Sequence, residues 1–176
     1  MTATPDDLFA RLEQLGITTR THWHEAVFTV AQSQALCGEI AGGHSKNLFL
    51  KDKKDRLYLL VAHEDTAIDL KSLNKAIGSA RLSFGRPELL QEVLGVPPGS
   101  VTPFALMNDT RHRVHVLLDE ALLSHETLNF HPLTNTATTS IAKGDLLRFI
   151  AACGHQIATV ALAADGQESP KNAIPL

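Results

Sequence analysis

Apolar runs that stop too early to become long helices are what most constrain this chain. Stretches rich in β-branched and aromatic residues at 21–30, 47–51, 57–62, 101–107, 114–118, 127–131, 136–141 and 156–162 read as strands. Helical spacing is confined to shorter intervals. Thr4-Pro5-Asp6-Asp7 supplies a cap, a first-turn proline and first-turn acids ahead of Leu8, Phe9, Leu12 and Leu15, and Gly16 ends that helix. Further helices are expected at 33–40, 69–77, 87–94 and 144–152, with Gly42-Gly43, Gly78 and Gly95 as stops. Strands outnumber helices and are interrupted irregularly, without strict strand–helix–strand alternation. The expectation is an α/β chain with a mixed, mainly antiparallel sheet and helices packed around it.

A length of 176 residues fits one domain, able to bury a core without metal or disulfide staples. The reading is one domain over 1–164 and a flexible polar tail at 165–176. Sixteen basic against nineteen acidic residues leave a net charge of −3, so bulk charge does not draw the chain onto DNA or an anionic membrane. No apolar run approaches the ~20 residues of a membrane span, and the first residues lack a basic-then-apolar leader. A cytoplasmic protein is expected. Cys37 and Cys153 lie far apart with no CxxC spacing and read as small buried hydrophobes.

Several chemistries are disfavoured by motif. Pro98-Gly99-Ser100-Val101-Thr102 lacks the second glycine of a GxSxG elbow. His22-x-His24 and His112-x-x-His115 are the closest metal-like spacings and have no evident third ligand, so no metal is expected. Ala41-Gly42-Gly43-His44-Ser45-Lys46-Asn47 does not follow the GxxxxGK[ST] order and precedes a strand, not a helix. What remains is a glycine turn delivering Lys46 and Asn47 at the mouth of a strand, a Pro-Gly-Ser loop, and His131 beside Pro132. Lysine can hold a phosphate or charge growing on an ester carbonyl, and histidine can move a proton near neutral pH. From spacing alone the plain alternative stays open: a solvated lysine, a turn-capping asparagine and a satisfied strand-end histidine.

Three blocks carry a family resemblance: Gly43-His44-Ser45-Lys46-Asn47-Leu48-Phe49-Leu50-Lys51-Asp52-Lys53-Lys54, Gly99-Ser100-Val101-Thr102-Pro103-Phe104-Ala105-Leu106, and Phe130-His131-Pro132-Leu133-Thr134-Asn135. In this order, and across about 17–163, the chain resembles the YbaK-type prolyl-tRNA editing domains, nearest to the free-standing ProXp-ala (PrdX) branch. The resemblance implies the YbaK/prolyl-tRNA synthetase editing-domain fold and hydrolysis of wrongly charged tRNA for proline, without metal or organic cofactor. In that branch the amino acid removed is alanine; cysteine or serine on the same tRNA is the alternative, and a non-catalytic RNA-binding module is the alternative from another class. The chain is too short to hold a synthetase catalytic domain as well, so action in trans is expected, with prolyl-tRNA synthetase as a possible partner.

By motif the resemblance assigns Lys46 and Asn47 to the catalytic strand, Gly99 and Ser100 to the loop lining the ester, and His131 to the histidine position. Ile17, Val27, Val30, Leu36 and Phe49 are expected as walls of a small apolar cavity that excludes proline by size, with plain core packing as the alternative for each. Lys51, Lys53, Lys54 and Arg81 are expected to hold tRNA phosphates around its mouth, with a solvated hairpin as the alternative.

Overall fold

The computed structural model describes residues 2–26 and 40–162. Among these, the strands are β1 (Arg20–Trp23), β2 (Gly43–Asp52), β3 (Leu57–His63), β4 (Leu82–Phe84), β5 (Val114–Asp119), β6 (Thr127–Phe130), β7 (Ala137–Ala142) and β8 (Ile157–Val160). The helices are α1 (Pro5–Gln14), α2 (Leu70–Ile77), α3 (Pro87–Leu94), α4 (Glu120–Leu123) and α5 (Lys143–Ala152). One sheet runs in the order β1-β7-β6-β2-β3-β5-β8, and β4 pairs with β2 beside it. Four of its pairings are antiparallel (β1/β7, β2/β3, β2/β4, β6/β7) and three parallel (β2/β6, β3/β5, β5/β8). The sheet is therefore mixed and mainly antiparallel.

Local chemistry sets the helix ends. Thr4 and Asp7 form a reciprocal capping box at α1, and Asp69 caps α2 by accepting from the Lys71 amide. Gly78 and Gly95 end α2 and α3 in the left-handed conformation. The strand expected at 101–107 is instead a 3-10 helix, Pro103–Asn108. Thr102 caps it by accepting from the Phe104 amide, and Pro103 in its first turn has no N–H to give a ladder. The short β4 and α4 carry too few periodic residues to stand out in the sequence. The expected helix at 33–40 falls on 33–39 outside the described residues, as do Cys37, the later part of the 21–30 strand and the tail at 165–176.

Alternation along β2 and β3 divides the core in two. Phe49, Leu57, Leu59 and Val61 face a larger apolar body built with α1, α3, the 3-10 helix and α5. Leu48, Leu50, Tyr58, Leu60 and Ala62 face a smaller one closed by Leu73 of α2. This second face is apolar only over β2, β3 and β5. Its other half is polar, because the register pairs His44 with Asn129, Asn129 with Ser140, Ser140 with Arg20 and Thr138 with His22. The core ends where this polar half begins.

β2 and β6 pair over only two positions, Gly43 with Leu128 and His44 with Asn129. Gly42 makes the approach possible: its φ is +106°, and a Cβ there would stand 2.7 Å from the Thr127 carbonyl oxygen. Gly42→Ala is expected to destabilise the fold by about 3 kcal/mol. Gly78→Ala, whose Cβ would meet nothing within 4 Å, is expected to cost about 1 kcal/mol. Urea unfolding of the two variants beside the parent checks the difference; equal losses would show that the β2/β6 approach is not tight.

Candidate functional site

After His44 and Asn129 the two parallel strands separate, and β2 is not paired on that edge again until Leu50 meets Phe84 of β4. A crevice opens where the parallel strands diverge at their carboxyl ends, the position at which open α/β sheets place ligands. His44, Ser45 and Asn47 line it from β2, Asn129, Phe130 and His131 from β6, and Thr138 from β7. Its cavity of about 20 Å³ holds one water molecule or one methyl group.

Of the expected residues, Asn47 and His131 line the crevice and Lys46 does not; only the strand register relates Lys46 to His131. Continuing the His44–Asn129 pairing by two residues sets Lys46 against His131 on the polar face, across the gap rather than across a hydrogen-bonded ladder. Lys46 is 4% exposed, and among the described residues its ammonium makes no side-chain hydrogen bond or ion pair within bonding distance. Burial pulls its pKa below the ordinary lysine value, while Asp65, Asp119 and Glu64 act to keep the proton on. A lysine whose stem is buried and whose ammonium has no carboxylate in contact can offer that charge to a ligand.

His131 is buried as well. Its Nδ1 lies 3.0 Å from the Ala137 carbonyl oxygen, which can only accept, so Nδ1 carries a proton and the neutral ring keeps a lone pair on Nε2. Burial lowers its pKa below 6.5, the Ala137 bond works against that, and nearby His24 adds to the lowering. Asn47 points to the opposite face from Lys46 but reaches the same gap. Its Nδ2 donates to Ser45 Oγ at 3.1 Å, Ser45 Oγ donates to the Asn129 carbonyl at 2.9 Å, and Asn47 Oδ1 is buried with no partner among the described residues.

Asn47 also contributes its main chain. The Phe49 carbonyl accepts from the Gly85 amide on the β4 side, and the His44 carbonyl accepts from the Glu64 amide on the β3 side. Alternation then turns the Asn47 N–H toward the edge that β6 has left. Asn129 fixes the shape of the opening: Nδ2 donates to the carbonyls of Ala41 and Gly43, and Oδ1 accepts from Ser140 Oγ. Sequence alone gives no role to His44, Ser45, Asn129 or Thr138. The signal present is polar residues at alternate positions, Asn129 and His131, in a strand whose intervening residues are apolar.

Other expected residues lie elsewhere. Gly99 and Ser100 are buried in the turn after α3 and do not line the crevice; the Ser100 amide already donates to the Pro97 carbonyl at 3.1 Å. Ile17 and Phe49 belong to the larger core, not to the crevice wall, since Phe49 sits one pleat below Asn47 among buried apolar side chains. Val27, Val30 and Leu36 lie outside the described residues. Lys51, Lys53, Lys54 and Arg81 are not around the mouth. Lys53 lies seven residues along β2 and its turn from Lys46, roughly 23 Å at strand rise, and its amide donates to the Arg81 carbonyl. Lys51 is paired with Asp55 at 3.3 Å, whereas Lys53, Lys54 and Arg81 form an exposed basic cluster. Burial raises the Cys153 thiol to about 11, which leaves it protonated and unreactive at neutral pH.

The fold is a mixed α/β sheet with one small polar crevice where two of its parallel strands part. An aminoacyl-tRNA editing domain model matches residues 24–149. Over 156 residues the chain is 35% identical to the prolyl-tRNA editing protein ProX of Acetoanaerobium sticklandii, covering 88% of this chain and 95% of that protein. It is 39% identical over 157 residues to prolyl-tRNA synthetase associated domain-containing protein 1 of Danio rerio, covering 86% and 85%. A crystal structure described as that of a proposed trans-editing enzyme for prolyl tRNA synthetase superposes with a TM-score of 0.68 at 21% identity, covering 92% of this chain and 99% of that one. The chain belongs to the aminoacyl-tRNA editing domain family and is a deacylase of that class. Among the described residues, no helix is long and apolar enough to cross a membrane.

The lowered His131 pKa has a signed consequence. Its neutral form is favoured in the folded state, so the associated stability is full above pH 6.5 and is lost as pH falls toward the folded value. Nitrogen-detected NMR is expected to show His131 as the Nδ1-protonated neutral tautomer, titrating below 6.5. A titration midpoint above 6.5 would contradict the geometry.

Proposed function

We propose that this domain hydrolyses, in trans, the ester joining alanine to the tRNA for proline, and so removes a product of misacylation by prolyl-tRNA synthetase. The supporting observation is a narrow polar crevice of about 20 Å³, lined by Asn47 and His131, with room for a group of methyl size. An apolar pocket separates a methylene by only ~1–3 kcal/mol, so exclusion by volume is the stronger device. Coverage of 95% of a protein named as a prolyl-tRNA editing protein supports the editing reading.

The aminoacyl ester is already reactive, and the vicinal ribose hydroxyl is available to relay a proton. Positioning and charge stabilisation are what the protein adds. Lys46 offers its unpaired ammonium to the terminal phosphate or to the carbonyl oxygen as negative charge grows there. The Asn47 amide on the open edge is a second donor. Gly99 and Ser100 have a lesser place in this scheme, because the Ser100 amide is occupied. Asn47 Oδ1 accepts from the substrate's amino group, and His131 Nε2 accepts from the ribose hydroxyl or the attacking water. The basic cluster of Lys53, Lys54 and Arg81 stands far enough from the crevice to take backbone phosphates of the acceptor stem while the charged end enters the gap.

Ester loss from alanyl-, cysteinyl- and seryl-tRNA for proline, measured side by side under multiple-turnover conditions, tests the reading. Alanine is expected to be released fastest, at substoichiometric enzyme over repeated turnovers; protection of the ester without turnover would mean an RNA-binding module. Lys46→Ala is expected to lower kcat/KM about 100-fold or more with thermal unfolding unchanged. Full activity in that folded variant would remove Lys46 from the chemistry. Replacing Lys53, Lys54 and Arg81 together by Ala is expected to raise KM, leave kcat unchanged and flatten the salt dependence by about 0.9 for each phosphate no longer neutralised. An unaltered salt slope would clear the cluster of a role in tRNA binding.

A further inference from the structure

We infer that Thr138, held by His24, is the wall that sets how large a side chain the crevice accepts; this rests on the deacylase reading above. Thr138 lines the crevice from β7. The β6/β7 register, which pairs Phe130 with Thr139, continues to set Thr138 against His131. It is thus a β-branched side chain standing beside the histidine, on the same face as Lys46.

His24 fixes how that side chain is turned. His24 Nδ1 lies 2.7 Å from the Glu25 carbonyl oxygen, so Nδ1 carries a hydrogen and the neutral ring presents a lone pair at Nε2. Nε2 is 2.8 Å from Thr138 Oγ1, and the Thr138 hydroxyl donates to it. The hydroxyl hydrogen is spent on His24, just past the end of β1, whose ring centroid stands 6.4 Å from that of His131. With Oγ1 held, χ1 of a threonine in a strand has few alternatives, so the side chain that lines the crevice is fixed in one rotamer. Thr21 Oγ1 bonds Thr139 Oγ1 at 2.8 Å beside this pair and ties the same two strands, so the wall does not drift with β7.

Selection by size and by polarity both follow from this wall. With about 20 Å³ available, one methyl fills the space, and Thr138 is what a longer side chain would strike. A serine side chain would fit by size but would meet a wall whose donor is already taken. His24 is therefore a positioning residue and Thr138 a specificity residue.

Glycyl-, alanyl- and 2-aminobutyryl-tRNA for proline differ by one carbon at each step and are the probes. Thr138→Ser keeps the hydroxyl on His24 and removes only the methyl, and is expected to raise the 2-aminobutyryl-to-alanyl ratio of kcat/KM at least 10-fold. Thr138→Val keeps the shape and is expected to hold that ratio within about threefold of the parent. Thr138→Ile, which narrows the crevice, is expected to lose alanyl relative to glycyl activity and reads the wall independently should the serine variant unfold. His24→Ala is expected to relax the ratio and to add nothing when combined with Thr138→Ser, since both act through one side chain. A Thr138→Ser enzyme with the parent's ratio, or additive effects of the two changes, would overturn the assignment. A parent domain that hydrolyses none of the three would instead overturn the deacylase reading, and the wall with it.

Discussion

The crevice depends on a pairing that stops after two residues. β2 and β6 meet at Gly43–Leu128 and His44–Asn129 and then part, and every chemical group of the site stands on one lip or the other of that parting. A longer ladder would have bonded the Asn47 amide to a neighbouring strand and closed the cavity. No pairing would have left Lys46 and His131 without a common register. Asn129 holds the balance, since one side-chain amide donates to two carbonyls of the glycine turn and its oxygen receives Ser140. Losing that amide would leave buried carbonyls without donors, a penalty of about 1–3 kcal/mol for each.

Such a split would be unstable in a thin sheet. It is tolerated because the larger core lies directly beneath it. Phe130 on the lip meets Phe104 edge-on at 5.9 Å, and Phe104 meets Phe149 of α5 at 5.4 Å, so three rings brace the site against the helical layer. The polar half of the sheet can then carry lone pairs and an unpaired ammonium without support from its own apolar contacts. Rigid backing under the reactive groups is what positional catalysis of a reactive ester requires.

Much of the scaffold is legible in the residues, and for physical reasons. Capping chemistry at Thr4 and Asp69, the glycine stops and the proline at position 87 fix helices locally, without knowledge of the rest. Alternation identifies β2, β3 and β5, because each half of the pattern has its own core to face. Pro103 misleads when its apolar neighbours are read as a strand, since a cap and a missing N–H outweigh β propensity there. The blocks name candidate residues, but which of them share one crevice is not readable from the sequence: Asn47 and His131 do, whereas Gly99 and Ser100 do not line it. Asn47 and His131 come together only through a register set elsewhere, and the basic residues that follow Lys46 in sequence are carried away from it by the rise of the strand. Ile17 and Phe49 illustrate the same limit, since composition cannot tell a pocket wall from a core residue one pleat away.

The arrangement also explains how a chain of net charge −3 can serve a polyanion. Three carboxylates, from Glu64, Asp65 and Asp119, oppose the loss of the Lys46 proton that burial favours, yet no carboxylate lines the crevice. Asp119 is itself engaged, accepting from the His63 and Ala121 amides and from Thr66 Oγ1, so its charge acts at a distance without pairing the lysine. Moved into contact, the same acids would form an ion pair that an incoming phosphate or ester would have to break. Asp119, occupied by these amides and by Thr66, favours the charged lysine from a distance and does not bond it.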